Sequence, residues 1–249
     1  MRNTLAIWKP KGPTSHDIVD AVRRITGERR VGHAGTLDPM AEGILVIGIG
    51  REATRKLAEV VGQEKEYMAI VQFGATSTTD DAEGAITPTL SLRGANGDEA
   101  IPGSGVTAFP SVARDDIEKT LQQFIGHIEQ VPPAYSAVKV RGKPAHRRAR
   151  RGEVVTLQPR TVEIKAIELL EYTPPPTPPL QEGERPGATL KLRVVCGPGT
   201  YIRALARDIG AALGVGGYLT ALTRMRVGTY TKDTALTIEQ FRMQWPGDR

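Results

Sequence analysis

Apolar positions along the chain follow two rhythms, one of period two and one near 3.6, and their succession predicts an α+β fold. TLAIW near the start reads as a short strand; after the turn-rich KPKGPTS, Ile18, Val19, Val22 and Ile25 recur at helical spacing, with Ser15 as N-cap and Gly27 as stop. ILVIGIG reads as a buried strand, and 52–61 as a helix turning Ala53, Leu57, Val60 and Val61 inward. KEYMAIVQFG alternates, which places Tyr67, Ala69, Val71 and Phe73 on one strand face. Further on, Ile117, Leu121, Phe124 and Ile125 predict a helix, TVEIKAIELL and ATLKLRVVC predict strands, and Ile202, Leu205, Ile209 and Leu213 mark the inward stripe of a helix over 201–213. Strands and helices mix without a repeat, so the expected architecture is a mixed, largely antiparallel sheet flanked by helices. Two stretches, near 91–113 and 172–188, are rich in Gly, Pro or Ser and have no period. Alternation resumes on their far sides, so they read as surface insertions in one domain spanning 1–249.

Composition narrows the class. A chain of 249 residues with 39% hydrophobic content builds a substantial core. No apolar run approaches the ~20 residues that cross a bilayer, and MRNTLAIWKP lacks the apolar stretch of a secretory signal, so a cytoplasmic protein is expected. The single cysteine, Cys196, lies in an alternating stretch where it reads as a small buried hydrophobe. His16, His33, His127 and His146 show no ligand spacing, so no metal is expected. The net charge of +5 is mild but uneven: Lys139, Arg141, Lys143, Arg147, Arg148, Arg150 and Arg151 crowd into thirteen positions without an acidic residue. On charge alone such a run is more often a solvated face than a nucleic-acid site.

The most informative segment is VGHAGTLDPMAEG, residues 31–43. Its glycines permit turns that other residues resist, and Pro39 disfavours helix at Asp38, which is thus presented on a stiff loop. An isolated Asp-Pro commonly does no more than fix its own turn by local hydrogen bonds. Here every fixed position of GHxGxLDPxAxG is filled, and the segment resembles the signature loop of the TruB-type tRNA pseudouridine synthases. The resemblance extends, in the family's order, through KPKGPTS, KEY at 65–67, TDDAEG at 79–84, QVPPAYSAVKVRGK at 130–143, GTYIRALARDIG at 199–210 and LTALTRMRVG at 219–228.

What the resemblance implies is specific. Asp38 would be the essential aspartate and Arg203 its partner; Tyr67 would stack on a flipped uracil, His33 would lie against the RNA near the displaced nucleotide, and Tyr201 and Leu222 would line the base pocket. The substrate would be a uridine in the T-loop of tRNA, extruded at a cost of a few kcal/mol. Uracil must then be detached at nitrogen, turned over and rejoined through carbon 5. That chemistry needs an ionised carboxylate, as nucleophile or as base, and a closed pocket, but no cofactor; a guanidinium beside the carboxylate would favour the ionised form. The basic residues from Lys139 to Arg151 would belong to a thumb-like segment near 127–152 that clamps the T-arm. A monomer without an obligate protein partner is expected, as is the absence of the separate C-terminal RNA-binding domain that many relatives carry. His146 stands where the family commonly has tyrosine and Tyr218 where it commonly has histidine, and Trp8 precedes Lys9-Pro10 at a position usually acidic or tyrosine.

Two other readings compete. Gly48-Ile-Gly50-Arg-Glu-Ala53 follows a strand and opens a helix in the manner of a dinucleotide-binding turn, but no acidic ribose partner stands at the tip of the next strand. A non-catalytic RNA-binding or tRNA-folding protein would keep the fold, yet would have no need of Asp38, Tyr67 and Arg203 together.

Overall fold

A computed structural model describes residues 3–89, 112–136, 138–140, 142–149, 151–153, 155–175 and 187–245. Most of both expected insertions therefore lies outside the described residues. Strand β1 (Thr4–Lys9) leads to helix α1 (Ser15–Thr26), β2 (Val31–His33), β3 (Glu42–Ile49), α2 (Arg51–Val61) and β4 (Lys65–Phe73). After the hairpin β5 (Ala75–Ser77) and β6 (Ile86–Pro88) come α3 (Arg114–Gln122), β7 (Gly126–Gln130), the small ladder β8 (Lys139–Val140) and β9 (Lys143–Pro144), and α4 (Ala145–Ala149). The chain closes with β10 (Arg160–Thr173), β11 (Thr189–Cys196), α5 (Ile202–Ala212), β12 (Gly217–Val227), β13 (Tyr230–Thr231), β14 (Ala235–Leu236) and α6 (Ile238–Gln244). The fold is α+β with a large mixed sheet. It divides into two compact units, Met1–Met68 with Val195–Pro198 and Ala221–Arg249, and Ala69–Val194 with Gly199–Thr220; β4 and β12 each begin in one and end in the other.

In the first unit the strands run β14-β1-β3-β12, with β2 on β3 and β13 on β12. β1 is antiparallel to β3 from Thr4↔Gly48 to Lys9↔Gly43 and parallel to β14, while β12 is parallel to β3 at Thr223↔Glu42 and Arg224↔Gly43. β3 is an unbroken apolar run because helices cover both of its faces. Leu45 and Ile47 pack with Ile18, Val19 and Val22 of α1 and Phe241 of α6, while Ile44 and Val46 pack with Leu57 and Val60 of α2.

Three local expectations are corrected here. The N-cap of α1 is Thr14, not Ser15: its hydroxyl accepts from Asp17 N at 3.1 Å while the Asp17 carboxylate accepts from Thr14 N at 2.8 Å, a reciprocal capping box. Val61 is 42% exposed, because one residue past Val60 turns it about 100° off the stripe of Ala53, Leu57 and Val60. Phe124 and Ile125 fall beyond α3, in the turn that leads into β7 at Gly126, whose φ is 99°, and Ile125 is 38% exposed. The Gly48 to Ala53 turn also has a packing reason: a Cβ on Gly48 would stand 3.0 Å from the Ala53 backbone, so the glycine lets α2 close onto β3. β3 moreover lies against antiparallel β1 and β2 rather than inside a parallel nucleotide-binding sheet.

In the second unit the order is β12-β4-β11-β10-β7, with β7 and β10 antiparallel from Gly126↔Ile164 to Gln130↔Arg160. α3 packs on β10 and α5. Ile202, Leu205 and Ile209 of α5 are buried as expected; Tyr201 is its N-cap and Leu213 its half-buried C-cap. Cys196 is buried. No helix among the described residues is long and apolar enough to cross a membrane.

Candidate active site

The Asp38 loop has no ladder of its own between β2 and β3; side chains and amides of the first fifteen residues hold it. Ser15 Oγ accepts from Leu37 N at 2.8 Å and donates to Leu37 O at 3.0 Å. Gly12 N donates to Pro39 O at 2.9 Å, and Lys9 Nζ donates to Ala41 O at 2.7 Å and Pro10 O at 2.8 Å. Inside this harness the carbonyl of Asp38 accepts from Ala41 N at 3.1 Å, closing a tight turn that leaves its carboxylate half-buried. Lys9 is wholly buried, and burial pulls its ammonium down to about 8; the charge of Asp38 works against that shift, Arg224 adds to it, and Glu42 again opposes it.

On β12, Leu222 and Arg224 share a face by strand alternation, and both are buried. Arg224 Nε donates to Ile44 O at 2.7 Å and Nη2 to Gly35 O at 3.0 Å, so this guanidinium ties the strand that follows the Asp38 loop to the turn that precedes it. The close approach needs Gly43, whose φ is 114° and whose Cβ, if present, would lie 2.3 Å from Arg224 O. Tyr67 and Lys65 likewise share a face of β4, and both are buried. Burial raises the Tyr67 phenol above its ordinary range, and the nearby Arg224 guanidinium opposes that rise. His33 meets His16 edge to face with ring centres 6.1 Å apart. Its Nδ1 is buried without a hydrogen-bond partner among the described residues, and burial, then His16, then Arg224 lower its basicity.

The second unit carries the other expected residues. Arg203, buried on α5, donates from Nη1 to Thr79 O at 3.0 Å and to the buried Asp81 carboxylate at 3.2 Å, and from Nη2 to Tyr135 O at 2.9 Å. Asp81 in turn accepts from Thr79 Oγ1 at 2.6 Å and Glu83 N at 3.0 Å. Tyr201 is bracketed by the buried Gln130, which accepts from its amide at 2.8 Å and donates to its carbonyl at 3.2 Å. Its ring packs against a small core of Val138, Ala145 and Leu157, so the thumb-like segment rests on a residue expected in the base pocket. In that segment Arg148 pairs with Glu153 at 2.6 Å and Arg151 is exposed. Arg141 and Arg150 lie outside the described residues, and for Lys139, Lys143 and Arg147 the backbone alone is described.

The first unit thus holds Asp38, His33, Tyr67 and Leu222, and the second holds Arg203, Tyr201 and the basic segment. Sequence reasoning gave no role to Lys9, Arg224 or Asp81, although each stands in a block it singled out: KPKGPTS, LTALTRMRVG and TDDAEG. The signal available for Lys9 and Arg224 was a cation in a strand otherwise made for burial. Among the described residues no group of three or more His, Cys, Asp or Glu side chains is placed to hold a metal ion.

Comparison with known proteins converges on one family. Residues 23–202 match the family model of TruB family pseudouridylate synthase (N terminal domain), and residues 203–246 match the tRNA pseudouridylate synthase B C-terminal domain. A tRNA pseudouridine synthase B of Leifsonia xyli subsp. xyli is 49% identical over 226 residues, covering 91% of this chain and 67% of that protein. The protein of the same name from Thermobifida fusca is 46% identical over 238 residues, 95% of this chain and 73% of that one. Among solved structures, a Cbf5-Nop10-Gar1 complex superposes with a TM-score of 0.65 at 26% identity over 97% of this chain and 54% of that chain. An H/ACA RNP bound to a substrate RNA containing 2'-deoxyuridine gives 0.62 at 25%, over 97% and 53%. The chain spans about half the length of these two structural neighbours.

Proposed function

The chain belongs to the TruB family of pseudouridylate synthases, and from that premise we propose that it isomerises a uridine in the T-loop of tRNA to pseudouridine with Asp38 as the essential carboxylate. The tRNA substrate follows the names of the relatives, and the T-loop follows the signature blocks of the sequence. The observation that carries the reading is the harness around Asp38. A half-buried carboxylate on a loop fixed by Ser15, Gly12 and Lys9 is oriented before any substrate arrives, and Tyr67 and Arg224 share its electrostatic surroundings. Both ways of starting the reaction, attack at the anomeric carbon or proton removal from the neighbouring sugar carbon, need that carboxylate ionised, and the buried Lys9 ammonium interacts favourably with a negative charge there.

In this reading the uridine flips out of the loop, Tyr67 stacks on the base, and Tyr201 and Leu222 each contact the base, so that free uracil stays bound for carbon–carbon bond formation. Arg203 takes the catalytic role that the family resemblance gives it, its guanidinium held by Asp81. His33 lies against the displaced nucleotide, and its lowered basicity keeps it neutral at pH 7, a hydrogen-bonding group rather than a charge. The residues from Lys139 to Arg151 take the phosphates of the T-arm. The test is direct: unmodified tRNA transcript is incubated with the protein or with Asp38→Asn, and pseudouridine is mapped by carbodiimide treatment and primer extension. A single new stop in the T-loop, absent with the variant, is expected; folded, RNA-binding protein that modifies no tRNA would defeat the proposal.

A further inference from the structure

Two arginines one helical turn apart on α5 make the same pair of contacts in duplicate. Arg203 takes Asp81 from the 79–81 turn and Tyr135 O from the segment after β7; Arg207 takes the neighbouring Asp80 carboxylate at 2.8 Å and Val131 O at 2.9 Å. The Arg207 guanidinium is used on every side, because its Nε also donates to Asp208 at 2.9 Å. Asp80 is held firmly in return. It is the one non-glycine residue at positive φ among those described, at 60°, its carbonyl accepts from Leu219 N at 3.1 Å, and its side chain is only 14% exposed. With Gln130 bracketing Tyr201, the stretch 130–135 is therefore fastened to α5 at three points: Gln130, Val131 and Tyr135.

This stretch is the root of the thumb-like segment, whose small core packs on Tyr201. Of the two arginines, Arg203 is buried and belongs to the proposed catalytic set, while Arg207 is partly open to solvent and reaches no proposed substrate position. If Arg207 is removed, the 79–81 turn keeps its Arg203, Thr79 and Leu219 contacts, whereas Val131 O loses its guanidinium donor. We propose that Arg207, locked by Asp80, is a positioning residue that sets the angle at which the thumb leaves α5 and so tunes RNA capture rather than chemistry. The proposal rests on the reading of 127–152 as an RNA clamp. A lysine cannot substitute, since one ammonium reaches Asp80 but not Asp80, Asp208 and Val131 O from a single rigid fork.

The test uses Arg207→Gln and Arg207→Lys in the full chain, with two readouts. Hydrogen–deuterium exchange of the free protein should quicken at the amides of Val131, Ala134 and Tyr135 in both variants while α5 keeps its protection. Binding of unmodified tRNA transcript should weaken about tenfold, while the single-turnover rate at saturating enzyme stays within about twofold and the slope of log Kd against log salt is unchanged, because no phosphate contact has been lost. Unchanged exchange at the thumb root overturns the proposal whatever the protein does to RNA. A salt slope reduced by about one shows that Arg207 itself touches phosphate, and a saturated rate that falls as far as binding shows that it acts on chemistry; either result also overturns it. Wild-type protein that neither binds nor modifies tRNA defeats the functional reading alone, and the exchange measurement still decides whether Arg207 fastens the thumb.

Discussion

Replacing Gly43 with alanine adds a single methyl group at the point where the Asp38 loop enters β3. Two costs arise together. At φ 114° an L-residue sits outside its populated backbone regions, which costs about 1–3 kcal/mol. The new Cβ would also meet Arg224 O at 2.3 Å, Arg224 N at 2.7 Å and Arg224 C at 2.9 Å, all backbone atoms that cannot rotate away. Relief requires β12 to withdraw from β3 by about 1 Å at the Gly43↔Arg224 pair, straining the bonds from Arg224 to Ile44 O and Gly35 O, each worth about 1 kcal/mol or more when buried. The sum is about 3–5 kcal/mol, a large part of the ~5–15 kcal/mol that holds a domain together. Urea denaturation followed by circular dichroism should show that loss, and the melting temperature should fall by about 10 °C. Because the charge of Arg224 acts on Tyr67, the folded fraction should also modify tRNA more slowly than wild type. A loss below about 1 kcal/mol with full activity would refute the account of why glycine stands there.

The Lys9 ammonium has a folded-state pKa of about 8 against 10.5 in the unfolded chain, so between those values the unfolded chain binds more protons and stability rises with pH, by on the order of 3 kcal/mol across the window. Lys9→Met should lack that rise, and stability curves for the two proteins that climb in parallel from pH 8 to 10.5 would contradict the assignment. Asp81→Asn leaves the buried Arg203 guanidinium without its carboxylate and should cost about 3 kcal/mol in chemical denaturation while lowering the single-turnover rate; a cost under about 1 kcal/mol would mean that the pair is not a support. Reversing Arg147, Arg148, Arg150 and Arg151 to glutamate should weaken tRNA binding and flatten its salt dependence, and unaltered binding would remove the thumb from the RNA interface.

What could be read from the sequence was what repeats locally. The stripes of α1 and α5 and the alternation of β4 predicted their burial, because a helix or strand carries its period in its own residues. The N-cap of α1 was misplaced by one position because Thr14 and Ser15 are both good caps, and only the remote backbone of Leu37, 22 residues away, draws the Ser15 hydroxyl inward. The expected site residues, His33, Asp38, Tyr67, Tyr201, Arg203 and Leu222, come as a set from the resemblance, and no local pattern singles out any of them alone. Arg224 escaped because its partners, Ile44 and Gly35, lie 180 and 189 positions away and no local pattern announces them. Arg207 and Asp80 escaped for the same reason: a helix-surface arginine and a turn aspartate acquire meaning only when the fold sets them side by side.

The harness around Asp38 also fixes the order in which the site can be completed. The fasteners Lys9, Gly12 and Ser15 precede the loop by fewer than forty residues, so a growing chain holds these three ties as soon as the loop itself is made. Arg224 joins only when β12 has been made, 180 positions after Ile44. Until then Tyr67 lacks the nearby Arg224 charge, and β3 lacks its parallel neighbour. A nascent chain would thus carry the loop and its three ties well before the strand that joins Ile44 to Gly35 through Arg224, and the site waits on that one strand.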